Sequence, residues 1–162
     1  MSMIGNLRRV PDAQLTELFA DPKRIEEFLY EPDEEPDEED IEKSWHAIHY
    51  LLTGSAWGGD PPLNFLVSGG REIGGVDVGY GPARGFTPAE VAEIAAALDP
   101  ITGDDLRRHL DREAMANAQI YPDIWGESED ELVEYIVPYF EATKSFVKRA
   151  ATTSSALVVY LN

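Results

Sequence analysis

The spacing of apolar residues along this chain switches between two and about 3.6, and the switches mark out its elements. Ser2 to Val10 holds alternating and branched residues and reads as a first strand, with Arg8 and Arg9 expected to face solvent. Pro11 then opens a helical pattern in which Leu15, Leu18 and Phe19 share a face. Asp21-Pro22 starts a second helix carrying Ile25, Phe28 and Leu29. From Ile41 the positions Trp45, Ile48, His49 and Leu52 recur at helical spacing until Gly54, which suits a helix C-terminus. Leu63 to Val67 is a branched and aromatic run between Pro61-Pro62 and Gly69-Gly70, and it predicts a buried central strand.

Six glycines between Ser68 and Pro82 predict loop or hairpin, since they give little to pack and much to order. Thr87-Pro88-Ala89-Glu90 is a capping box ahead of Val91, Ile94, Ala95 and Leu98. Thr102 or Asp104, then Asp111, can cap two short helices bearing Leu106 and Met115. Ser128 to Glu131 repeats the capping box before a long apolar face from Leu132 to Val147, where Pro138 predicts a kink or break near Val137. ALVVYL, residues 156–161, is apolar on both sides and predicts an inner strand. Strands at both ends and in the middle, with helices between, give an α+β class: one domain over residues 1–162, with a small, mostly antiparallel sheet packed by about six helices.

Composition changes this picture in three places. Nine carboxylates fall within residues 31–42 and supply half of the formal charge of −18. Residues 31–40, with two prolines and almost nothing apolar, predict a mobile, solvated loop. An acidic chain repels phosphate backbones and anionic lipid, so nucleic acid and membrane surfaces are poor partners, and no apolar stretch is long enough to span a bilayer. Zero cysteines exclude disulfides, thiolate nucleophiles and cysteine-held metals, and the expected location is the cytoplasm.

Taken together, MSMIGNLRRV, WHAIHYLLTG, GYGPAR and IYPDIW resemble the YfbM-like family of small bacterial proteins, a domain of unknown function. The resemblance runs nearly end to end. It implies a single α+β domain of bacterial origin and supplies no catalytic residue to transfer.

Candidate chemistry centres on His46 and His49, which lie about 300° apart around a helix and hence on one face. A metal would need a third ligand, the only other histidine is His109, and H-E-x-x-H is absent, so no metal or cofactor is expected. The phosphate-binding G-x-x-x-x-G-K-[ST] and the serine elbow G-x-S-x-G are missing too, and GYGPAR lacks the third glycine of the dinucleotide fingerprint. What remains is a set of polar and aromatic residues in glycine- or proline-rich loops beside the histidine helix: Trp45, His46, His49, Tyr80, Arg84, Tyr121 and Trp125. They predict one ligand-binding cleft, at which Arg84 either pairs with an acidic neighbour, the reading an acidic chain favours, or joins the start of the helix at Pro88 in holding a carboxylate or phosphate.

The leading expectation is therefore a non-catalytic module that binds a protein partner or a small anionic ligand. One alternative is a small hydrolase or transferase with His46 or His49 as general base and Arg84 holding an anionic substrate. Another is an acidic inhibitor or immunity-type protein that captures a basic partner. The sequence leaves oligomeric state open.

Overall fold

A computed structural model describes all 162 residues. Five strands, β1 (Gly5–Val10), β2 (Glu38–Asp40), β3 (Arg71–Asp77), β4 (Pro82–Phe86) and β5 (Ala156–Leu161), form one antiparallel sheet in the order β2-β1-β5-β4-β3. β5 takes the centre because its residues are apolar on both sides. Leu157 and Val159 enter the larger core with α3 (Trp45–Thr53), α4 (Pro88–Leu98), α5 (Gly103–His109), α6 (Arg112–Asn117) and α7 (Glu129–Thr152). Ala156, Val158 and Tyr160 enter a smaller core against α1 (Asp12–Ala20) and α2 (Ile25–Tyr30). The result is three layers with the sheet in the middle.

The capping signals hold except at Asp21, whose side chain makes no cap bond to the turn that begins at Pro22. Thr87 with Glu90 and Ser128 with Glu131 form complete capping boxes, Thr102 does the same with Asp105, and Asp111 caps α6. Other expectations are overturned: the 63–67 strand, the solvent-facing Arg8 and a break at Pro138. Residues 63–67 are not a strand but a compact helical turn, in which the N–H groups of Val67, Ser68 and Gly69 all donate to the Asn64 carbonyl. Phe65 and Leu66 are buried as predicted, yet Arg84 on β4 satisfies the carbonyls of this segment, so it needs no neighbouring strand. The remaining strands come instead from the glycine-rich hairpin, β3 and β4.

The acidic run is structured at its far end, where β2 pairs with β1 and Leu7 faces Glu39. Arg8, expected in solvent, is 3% exposed. Its Nε donates to Glu38 at 2.7 Å, and its Nη1 and Nη2 donate to the carbonyls of Phe28 and Leu29 that end α2. Arg9 and Arg149 share Asp37 from two sides. The charge run thus supplies the counter-ions that let Arg8 turn inward.

Finally, α7 runs unbroken for 24 residues through Pro138. The proline lies on the exposed side, so the missing hydrogen bond faces water while Ile136, Phe140, Phe146 and Val147 hold the opposite face in the core. No helix is long and apolar enough to cross a membrane.

Candidate functional site

α3 ends at Gly54, whose φ of 73° is the left-handed conformation a helix C-terminus favours, with its N–H bonded to the Tyr50 carbonyl. The helix is buried on most sides: Trp45, His46, Ala47, Ile48, His49 and Leu51 all lie inside. Above it β1 passes closely. A Cβ added at Gly5 would stand 2.8 Å from the Trp45 Cβ, so only glycine lets the strand approach. The Trp45 indole N–H donates to the Met3 carbonyl at 3.0 Å.

His46 is 0% exposed and has both nitrogens engaged. Its Nδ1 accepts the Tyr121 backbone N–H at 2.9 Å, which leaves Nε2 to carry the proton and donate to the Ala56 carbonyl at 2.7 Å. The ring lies flat on Trp45, with centroids 4.9 Å apart and planes at 11°, and Trp57 packs on it at 4.4 Å. Tyr121 stacks on Trp45 at 5.9 Å, and its hydroxyl accepts the Met3 N–H. Burial lowers the His46 pKa, opposed by the Ala56 carbonyl. This imidazole joins three chain segments and keeps no free lone pair for a metal or a substrate proton.

His49 is sealed as completely but is poorly satisfied. Nε2 has only a long contact, 3.4 Å, to Thr53 Oγ1, and Nδ1 has no partner. Burial, then the neighbouring His46, push its pKa down to about 4, against an opposing effect of the Gly58 backbone that exceeds the further lowering by Arg84. Arg84 lies beyond it on β4. Its Nη1 donates to the Phe65 and Gly69 carbonyls and its Nη2 to that of Leu66, at 2.9, 2.5 and 2.8 Å. Burial lowers its pKa to about 10. The guanidinium thus terminates the 61–68 turn, and the first turn of α4 is closed by its own capping box, so the two do not form the anion clamp the sequence suggested.

The seven predicted residues do not meet at one open cleft. Trp45, His46 and Tyr121 form a single stack, while the buried His49 and the half-buried Arg84 share no hydrogen bond and interact only through charge. Trp125 is 6% exposed, bonded through Nε1 to the Ile120 carbonyl, and belongs to the core around Met115. Tyr80 stands in the β3–β4 turn, with its N–H on the Leu161 carbonyl and no ring partner. Two sizeable cavities lie away from the stack: about 530 Å³ between α1, α2 and residues 31–36, and an open depression of about 1020 Å³ beside α5 and α6, which touches Trp125 and His109.

The residue that sequence reasoning missed is Trp57. It is 59% exposed, against 1% for Trp45 and 6% for Trp125, and its ring rests on His46 and, at 6.2 Å, on Trp45. The signal was present in SAWGGDPP, where a tryptophan beside two glycines and two prolines follows no helical or strand period.

Fold and stack define a class by architecture rather than by chemistry: a three-layer α+β domain organised around a buried histidine-aromatic helix. Residues 1–160 match the domain of unknown function DUF1877, and the chain belongs to that family. Among solved structures it is similar to the crystal structure of YfbM, a protein of unknown function from Escherichia coli. The two share 21% identity and a TM-score of 0.77, over 98% of this chain and 99% of the other. At that identity the likeness speaks for the fold alone. No curated protein matches the chain.

Proposed function

We propose that this chain is a non-catalytic, cytoplasmic protein-interaction module of bacterial cells, and that it meets its partner on the surface topped by Trp57. One observation carries the reading: a tryptophan left more than half exposed, on a rigid support of His46, Trp45 and Tyr121. Large, preordered aromatic rings lose little entropy when covered and are typical anchors of protein interfaces. The loop holding the ring is tied down at Ala56 by His46 and at Gly58 by Ser55.

Catalysis by His46 or His49 finds no support in this geometry, since both rings are sealed, one is fully hydrogen-bonded, and Arg84 directs its donors to backbone carbonyls. Capture of a basic partner by the acidic run alone is not favoured either, because Asp37 and Glu38 are committed to internal arginines.

The test places a photo-crosslinking residue at Asp60, three positions from Trp57, and as a control at Glu27 on α2, in the layer on the other side of the sheet. The expected result is a discrete protein adduct from position 60 that disappears with Trp57→Ser and is absent from position 27. Adducts of equal yield from both positions, or an adduct indifferent to Trp57, would overturn the proposal.

A further inference from the structure

Trp57 belongs to a larger group of rings. Trp57 rests on Trp45, which stacks on Tyr121. On α7, Tyr135 and Tyr139 meet edge to face at 5.5 Å. Tyr121, Tyr135 and Tyr139 all pack against the larger core, and α7 lies against β2 and the turn at Glu42–Ser44. Burial and then Tyr139 raise the pKa of the Tyr135 hydroxyl, and Glu42 and Tyr121 add to that, which places Tyr135 within electrostatic reach of both. Tyr139 is likewise raised by burial and then by the carboxylates of Glu42 and Asp40. Both carboxylates are exposed, and Tyr121, Tyr135 and Tyr139 are each partly exposed. Exposed rings therefore lie on either side of the buried Trp45, the Trp57 indole on one side and the three tyrosines on the other, and the tyrosines stand beside a pair of carboxylates where β2 ends and the chain turns into α3. Lys43 is the only basic side chain in that turn.

From this juxtaposition we infer that the surface proposed above as an interface takes an extended segment of a protein partner rich in arginine or lysine, with a cation over Trp57 and others along the tyrosines towards Asp40 and Glu42. The inference rests on the interaction reading and adds the chemistry of the partner. Aromatic faces attract cations through their quadrupole, the more so as water is excluded. The carboxylates add a charge at one end that fixes direction. The field of a chain carrying −18 speeds the approach of positive segments and repels acidic ones. Arginine suits these rings better than lysine, because its planar group can lie on a ring while still donating to a carboxylate.

The probe is a dye-labelled peptide of alternating arginine and glycine, followed by fluorescence anisotropy against the full chain, with a glutamate-glycine peptide of equal length as control. Saturable binding of the arginine peptide alone is expected. Trp57→Ser should weaken it about three- to tenfold, and the pair Asp40→Asn with Glu42→Gln about two- to fivefold. The amide introduced by Asp40→Asn keeps an oxygen for the Glu42 N–H that the Asp40 carboxylate now accepts. Unchanged circular dichroism establishes that the variants fold. Arginine-peptide binding that ignores Trp57 would reduce the effect to bulk charge and overturn the inference, and so would absence of binding. An Asp60 crosslink to a neutral or acidic segment would overturn it as well, while leaving the interaction role standing. Loss of the Trp57-dependent crosslink would remove both.

Discussion

Replacing each histidine of α3 by leucine separates two side chains that the sequence places three residues apart and the fold buries equally. His46→Leu removes the acceptor for the Tyr121 N–H and the donor for the Ala56 carbonyl. An orphaned buried polar group costs about 1–3 kcal/mol, and each lost aromatic pair about 0.5–1.5 kcal/mol, part of which leucine packing restores. Tyr121 and Ala56 are only half-buried, so water reaches part of the freed groups and the sum falls to about 2–4 kcal/mol. In a chain of this size that is a drop in Tm of roughly 5–15 °C. His49→Leu works the other way. It removes an acceptor, Nδ1, that has no partner, gives up one long contact to Thr53, and puts an apolar side chain of similar volume into a dry site. Its net change stays within about 1 kcal/mol of zero. Denaturant unfolding at neutral pH, followed by far-ultraviolet circular dichroism, measures both. Equal losses, or a larger loss for His49→Leu, would refute the reasoning that hydrogen-bond satisfaction rather than burial distinguishes the two rings.

The remaining predictions concern pH, the arginine under the turn and one glycine. Both imidazoles are held neutral by burial, so the unfolded chain takes up protons first as the pH falls. These two groups therefore leave folding stability unchanged above the ordinary value of 6.5 and reduce it progressively as the pH falls below that, until about 4, where folded His49 titrates. For His49 this is about 3 kcal/mol in all, and the His49→Leu protein should show a slope of unfolding free energy against pH shallower by up to one proton in that window. Arg84→Met strands the carbonyls of Phe65, Leu66 and Gly69 and should cost about 3–5 kcal/mol, with hydrogen exchange rising first in residues 61–70. Gly5→Ala drives a methyl group into Trp45 and should cost about 1–3 kcal/mol by the same unfolding measurement, without altering the helices.

Local signals were legible and remote ones were not. Capping boxes and the doubly apolar ALVVYL depend on neighbours within a turn or two, and each appears where the pattern put it. The 63–67 segment has the composition of a strand, and the backbone partner that makes it a turn, Arg84, follows 18 residues after Leu66. Arg8 looked like a surface cation because its acceptors, Glu38 and the end of α2, lie 20 to 30 residues further on. Of the site, helical spacing identified Trp45, His46 and His49 as neighbours. Spacing cannot distinguish a core histidine from a pocket histidine, because the deciding partners, Ala56 and Tyr121, belong to other segments. Trp57 escaped because a residue outside any period offers periodicity nothing to detect.

The strand at the centre of the sheet is the one translated last. Gly5 pairs with Leu161 and Val10 with Ala156, and β4 is also paired with β5. On the ribosome, β1 and the β3–β4 hairpin therefore wait with open edges until residues 156–161 emerge. Such long-range closure is slow and leaves aggregation-prone edges exposed in the meantime.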